Sequence, residues 1–178
     1  MKISLDKAQM LERRRLAGGL ESLRVDCAIE YTDGVDVDKM LLADLRARYV
    51  EMLDHANPTY LVVENIEPAK TGNNHCGGIR VKLPDSCRRV FDIELDTWHR
   101  PVRIQPLSMY NAITSWQYND YRAAIELTPV AVFSPDGDIL AWPGGKVVSL
   151  RGITDPGEDT YMLDESGLKF LLNPDDPT

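Results

Sequence analysis

Cysteine is scarce: Cys27, Cys76 and Cys87 are the only three, an odd number with no repeated spacing. That excludes a disulfide framework and points to a reducing compartment. No run of about 18 apolar residues occurs, which excludes a transmembrane helix. The opening MKISLDKAQMLERRR carries a charge every few residues and has no apolar h-region, so it does not read as a secretory signal. Positive charge is also short. Twenty Lys and Arg face 28 Asp and Glu, a formal net charge of −8, which argues against a general nucleic-acid-binding role. There is no nucleophile elbow, P-loop, H-E-x-x-H or dinucleotide fingerprint, and no internal repeat or low-complexity segment.

What is present is a globular composition. The 178 residues are 43% hydrophobic and 27% charged. A chain of this size buries roughly 70% of its unfolded surface and needs no metal or disulfide to fold. Charge is uneven along it. Residues 1–25 carry six basic against three acidic side chains, and residues 154–178 carry seven acidic against Lys169 alone. The plain reading is two solvated segments; the sharper one is head-to-tail attraction between copies.

The hydrophobic pattern predicts helices first and short strands after. A first helix is expected from Ser4 as a cap, with Asp6 in its first turn and Leu5, Ala8, Leu11 and Leu16 as its stripe. Gly18-Gly19 ends it, and a short helix follows over 20–30. Val37, Leu41, Leu45, Tyr49 and Leu53 recur four apart, which predicts a long amphipathic helix over 36–56 with Asp36 as N-cap and Asn57-Pro58 as its stop. Strands are expected over 60–66, 79–83, 90–95, 101–104, 124–127, 130–133, 138–142, 146–150, 161–163 and 168–172. Residues 67–78 read as a flexible polar loop and 109–122 as an aperiodic polar-aromatic stretch. The fold class is α+β: a helical part over 1–58, an antiparallel hairpin-rich β part over 59–153 and an acidic C-terminal arm over 154–178, forming one composite domain.

Candidate chemistry is thin. His75, Cys76, Cys87 and His99 invite a zinc reading, but the paired two-to-four-residue spacing of structural zinc sites is missing. Asp92 and Glu94 share a strand face, as solvated strand faces often do. Arg80, Lys82, Arg88, Arg89, Arg100 and Arg103 cluster near Trp98. Asp85, Asp92, Glu94 and Asp96 are interleaved with them, which suits an Arg- and Trp-bearing protein contact better than a nucleic-acid groove. Met109, Tyr110, Trp116, Tyr118 and Tyr121 stand among small polar residues, either packed on their own domain or forming an arm that grips a neighbour. Arg13, Arg14 and Arg15 at one end and Asp155, Glu158 and Asp159 at the other complete the protein-contact candidates.

The order of motifs then becomes informative. The helix DVDKMLLADLRARYVEMLDHANPTYL precedes LPDSCRRVFDIELDTWHRPVRI, SMYNAITSWQYNDYR and ELTPVAVFSPDGDILAWPG. This order resembles the head–tail connector (adaptor or ring) proteins of tailed bacteriophages, in the flavour of crAss-like podoviruses. The matching positions are Leu83, Pro84, Arg88, Arg89, Trp98, Arg100, Pro101 and Val102, then Gln117, Asn119, Pro129, Val130, Ala131, Gly137, Leu140 and Pro143. The likeness covers roughly residues 36–143 and leaves both ends of the chain unmatched.

The resemblance implies a non-enzymatic virion protein at the head–tail interface, assembled in the host cytoplasm. Such a subunit forms a ring, often of about twelve copies, under a portal protein and beside other tail proteins. DNA passes through it without specific binding. No membrane, metal, cofactor or catalytic residue is implied. The rival readings are a small cytosolic enzyme with an unrecognised active site and a monomeric protein-binding module.

Overall fold

The computed structural model describes residues 2–17 and 37–172. The short helix expected over 20–30, the loop after it and the Asp36 cap lie outside the described residues. In chain order the elements begin with β1 (Lys2–Asp6), α1 (Lys7–Ala17), α2 (Val37–His55) and a 3₁₀ turn at Pro58–Tyr60. Next come β2 (Glu64–Asn65), β3 (Lys70–Asn73), β4 (Ile79–Lys82), β5 (Cys87–Leu95), β6 (Val102–Arg103), a 3₁₀ turn at Leu107–Met109 and α3 (Tyr110–Trp116). The last are β7 (Val130–Phe133), β8 (Ile139–Trp142), β9 (Val147–Thr154), β10 (Thr160–Asp164) and α4 (Glu165–Leu172). The class is α+β with antiparallel sheets. The chain divides into two units: one takes Met1–Val62 and Asp155–Thr178, the other Val63–Thr154.

In the first unit the two ends of the chain pair. β1 runs antiparallel to β10, from Lys2 opposite Asp164 to Asp6 opposite Thr160. Residues 155–172, expected as an arm, are therefore an integral strand and helix. Asp6 is the N-cap of α1: its Oδ1 accepts from Gln9 N at 2.8 Å while Gln9 Oε1 accepts from Asp6 N at 3.1 Å. This reciprocal cap starts the helix two residues later than Ser4 would, so Leu5 is buried on the strand and Leu16 is exposed.

α2 buries only its second half, through Leu45, Tyr49, Met52 and Leu53. Val37 and Met40 are exposed, Met40 at 62%, so the full-length apolar seam expected from the four-residue spacing is not seen. Tyr49 anchors the buried half. Its hydroxyl accepts from Met162 N at 2.9 Å and donates to Met162 O at 3.2 Å, and its ring lies 5.0 Å from that of Tyr161. One turn earlier, Arg46 Nη2 donates to both carboxylate oxygens of Asp155 at 2.7 Å. In α4, Gly167 lies against the carbonyl of Tyr60, where a Cβ would collide, and the Tyr60 and Phe170 rings stack at 5.3 Å. The 168–172 segment is thus helical, not extended.

The second unit has two four-stranded antiparallel sheets, ordered β2-β9-β5-β6 and β3-β4-β8-β7. Ile93, Leu95 and Leu150 of one share a core with Ile79, Val81, Ile139 and Ala141 of the other, and Trp98 joins them. β5 and β9 pair through three register irregularities, which bend the strands. The unit closes on itself: Glu64 of β2 lies opposite Gly152 of β9, and Thr154 Oγ1 donates to Glu64 Oε1 at 2.7 Å. The Ser134–Gly137 hairpin forms as its sequence predicts, with Gly137 at φ 82°.

Three further segments depart from expectation. The polar stretch Lys70–Asn73 is an edge strand on β4, although nothing in its composition favours β structure. The stretch after Met109 contains α3, which forms because Ile113 is buried with Val132, Leu140 and Trp142, with Tyr110 and Trp116 packed beside it. Residues 124–127 are not a strand; only an isolated bridge joins Ile125 to Thr128.

Candidate protein-contact surfaces

The sequence candidates separate by burial. Trp98 is corrected from a contact residue to core: it is buried, and its Nε1 donates to the Pro143 carbonyl at 2.8 Å. Asp155, Arg14 and Arg15 are likewise turned inward on their own unit. Asp155 holds Arg46, Arg14 Nη1 donates to the Leu172 carbonyl at 2.7 Å, and Arg15 pairs with Asp38. Arg14 thus satisfies an orphan carbonyl at the C-terminal end of α4. Asp159 is exposed and lies 3.7 Å from Lys7. Part of the basic start and the acidic finish thus meet within one chain, where β1 pairs with β10 and Lys7 approaches Asp159. Arg13 and Glu158 remain exposed.

The basic hairpin of the second unit is neutralised by its own strand register. β6 places Arg103 opposite Asp92, and Arg151 of β9 comes within 3.6 Å of the same carboxylate. A row of alternating sign on a sheet face is a cross-strand ion network, and Asp92 sits between Arg103 and Arg151 in it. Glu94 lies opposite Ser149. The Arg89 guanidinium sits 5.2 Å from the Phe91 ring centre. Arg88 and Arg100 are exposed.

The polar-aromatic stretch splits in two. Tyr110 and Trp116 are half-buried on the outer face of the β8–β7 half-sheet. Gln117 is buried and ties the following loop down: its Nε2 donates to Ile113 O at 3.0 Å, and its Oε1 accepts from Ala124 N at 3.0 Å. Beyond that anchor, Tyr118 is 73% and Tyr121 99% exposed. Leu107, Met109, Ile125 and Leu127 are exposed as well, Leu127 at 69%. The sequence predicts a strand over 124–127; Ile125 and Leu127 instead stand in solvent beside an isolated bridge.

The imagined metal ligands stay dispersed. His75 and Cys76 lie in the loop before β4, with Cys76 at φ 54°, Cys87 begins β5 and His99 follows Trp98. Burial pushes the Cys87 thiol up to about 11, whereas Cys76 is exposed. Among the described residues, no three His, Cys, Asp or Glu side chains gather as metal ligands. Open grooves occur in both units among the described residues. One of about 560 Å³ is lined by Asn73, Asn74, His75, Arg80, Tyr110 and Leu140 in the second unit. One of about 300 Å³ is lined by residues of α2 and α4, including Met52, His55 and Phe170, in the first.

Among the described residues no helix is long and apolar enough to cross a membrane. The sequence matches no protein-family model and no curated protein.

Proposed function

We propose that this chain is a structural assembly subunit, a head–tail adaptor or ring protein of a tailed-phage virion, and that it performs no catalysis. The observation that carries the reading is the exposed apolar run from Leu107 to Leu127. Six large apolar side chains within that segment face solvent although the neighbouring Gln117 pins its backbone. Single exposed apolar residues are ordinary, but a held concentration of them marks a protein contact. Tyr and Met are the types enriched at such contacts. The first half of α2, with Val37 and Met40 exposed, offers a second apolar surface.

The resemblance supplies the kind of assembly: copies of this chain in a ring, joined to a portal and to other tail proteins at the head–tail interface. The net charge of −8 suits a DNA conduit, because an excess of carboxylates repels the phosphate backbone and the duplex is held weakly. Electron microscopy of the purified chain, alone and mixed with a portal protein, tests the reading. Discrete rings, or rings seated on the portal, are the expected result. A monomer that ignores the portal and carries a small molecule in either groove would overturn it.

A further inference from the structure

We infer that the Lys70–Lys82 pair on the second unit docks onto the Glu158–Asp159 loop of another copy's first unit. The inference rests on the subunit reading above and names the faces that meet. The β3–β4 register sets Lys70 directly opposite Lys82, and Gly72 opposite Arg80. Directly opposed residues of an antiparallel pair share a sheet face. On β4, Ile79 and Val81 are buried, so Arg80 and Lys82 point outward. Three cations therefore occupy one outer face, with the groove lined by Asn73, Asn74, His75 and Arg80 beside them.

Opposed like charges destabilise a sheet. Arg80 has partial relief from Asp136 at 3.6 Å and Asp138 at 3.7 Å. Among the described residues, neither Lys70 nor Lys82 has an ion-pair partner. An anion bound on this face removes that repulsion.

The chain itself carries the complementary charge. The second unit holds ten basic and ten acidic residues, and the first holds ten basic and eighteen acidic, so the whole excess of −8 belongs to the first. Asp155, Asp38, Asp44 and Glu165 are each engaged by an Arg or Lys of that unit. Among the described residues, Glu158 and Asp159 are an adjacent pair of exposed carboxylates in this unit. Asp159 is 82% exposed and has only the long contact to Lys7, itself half exposed. Two neighbouring carboxylates then face two neighbouring ammoniums. Duplex DNA fits this face less well, because Asp136 and Asp138 stand beside Arg80 and the chain's net charge repels a polyanion. The two patches lie on different units, so each copy offers one of each. The contact is heterologous and continues from copy to copy, as a ring requires.

Charge reversal tests it. Sedimentation velocity compares the wild type with K70E/K82E, with E158K/D159K and with the variant carrying all four changes. Each two-site variant is expected to weaken self-association about tenfold or more, and the four-site variant to return within about threefold of wild type. Wild-type association is expected to weaken between about 50 mM and about 500 mM salt. Circular dichroism checks folding. If a reversed variant misfolds, the neutral K70Q/K82Q carries the same test with about a threefold loss. Wild-type rings with unaltered two-site variants would overturn this contact and leave the subunit reading standing. Loss of binding to a random-sequence duplex in K70E/K82E, with self-association intact, would make the face a phosphate contact and overturn it too. A wild type that neither self-associates nor joins a portal would overturn both.

Discussion

The first unit joins its parts with a two-stranded sheet, a tyrosine hydroxyl shared with Met162 and ion pairs, among them Arg46–Asp155 and Arg15–Asp38. The second holds together with two sheets around an apolar core, and it contains all three tryptophans, Trp98, Trp116 and Trp142. One unit is acidic and adds ion pairs and a shared hydroxyl to its buried side chains; the other is electrically balanced and concentrates six uncovered apolar side chains between Leu107 and Leu127. The contrast teaches where each kind of cohesion is affordable. A two-stranded sheet cannot supply a large core by itself, so the first unit draws buried side chains from its helices, Met10, Leu45, Leu53, Leu168 and Leu171 among them, and adds directional contacts. The second has interior to spare and can leave Tyr121 and Leu127 in water.

That contrast is open to direct attack. The largest effect is expected from Trp98→Ala, which empties core volume and strands the Pro143 carbonyl, at a cost of about 3–5 kcal/mol. Tryptophan fluorescence in urea reads the second unit alone, while hydrogen exchange of α2 amides reads the first. If α2 protection falls in step, the two units unfold together and the comparison collapses.

Tyr49→Phe comes next, at about 1–3 kcal/mol, because both Met162 main-chain groups lose their partner. Burial raises the Tyr49 hydroxyl from 10.0 to about 12. The protonated form is thus favoured by folding. Its contribution is complete below pH 10.0 and is lost as pH rises toward about 12. Wild type should therefore show a larger alkaline loss of first-unit stability than the Phe variant, in which only Tyr161, also raised by burial, still contributes. Lys7→Ala should change stability by less than about 0.5 kcal/mol in urea titration, since the pair with Asp159 is long and exposed. A larger change would show that exposed ion pairs, and not only the buried ones, hold the first unit.

Legibility in the sequence followed the same divide. Ile79–Lys82 was readable because apolar and basic residues alternate along it, and Val130–Phe133 because an apolar run meets the strong turn chemistry of Ser134–Gly137. The helix over Val37–His55 was readable from its period, yet the burial of only its second half was not, because a four-residue repeat says nothing about which turns find a partner. Lys70–Asn73 was hidden because its pairing is imposed by β4. α3 was hidden because Thr and Ser are weak helix formers and the segment is held by packing on Leu140 and Trp142. As for the candidate residues, charge sign could be read but not distance. Arg15 and Asp155 were recognisable as contact formers, while the fact that their contacts are internal depends on β1 meeting β10.

The pairing of Glu64 with Gly152 has a consequence for engineering and descent alike. Residues 63–154 leave their host at two points held about one strand spacing apart, roughly 4.8 Å. A module whose stubs are so close is a cassette. It can be cut out and spliced into a surface loop of another scaffold, or its old ends fused and new ones opened at the Ser134–Gly137 turn, without stretching the backbone on either side.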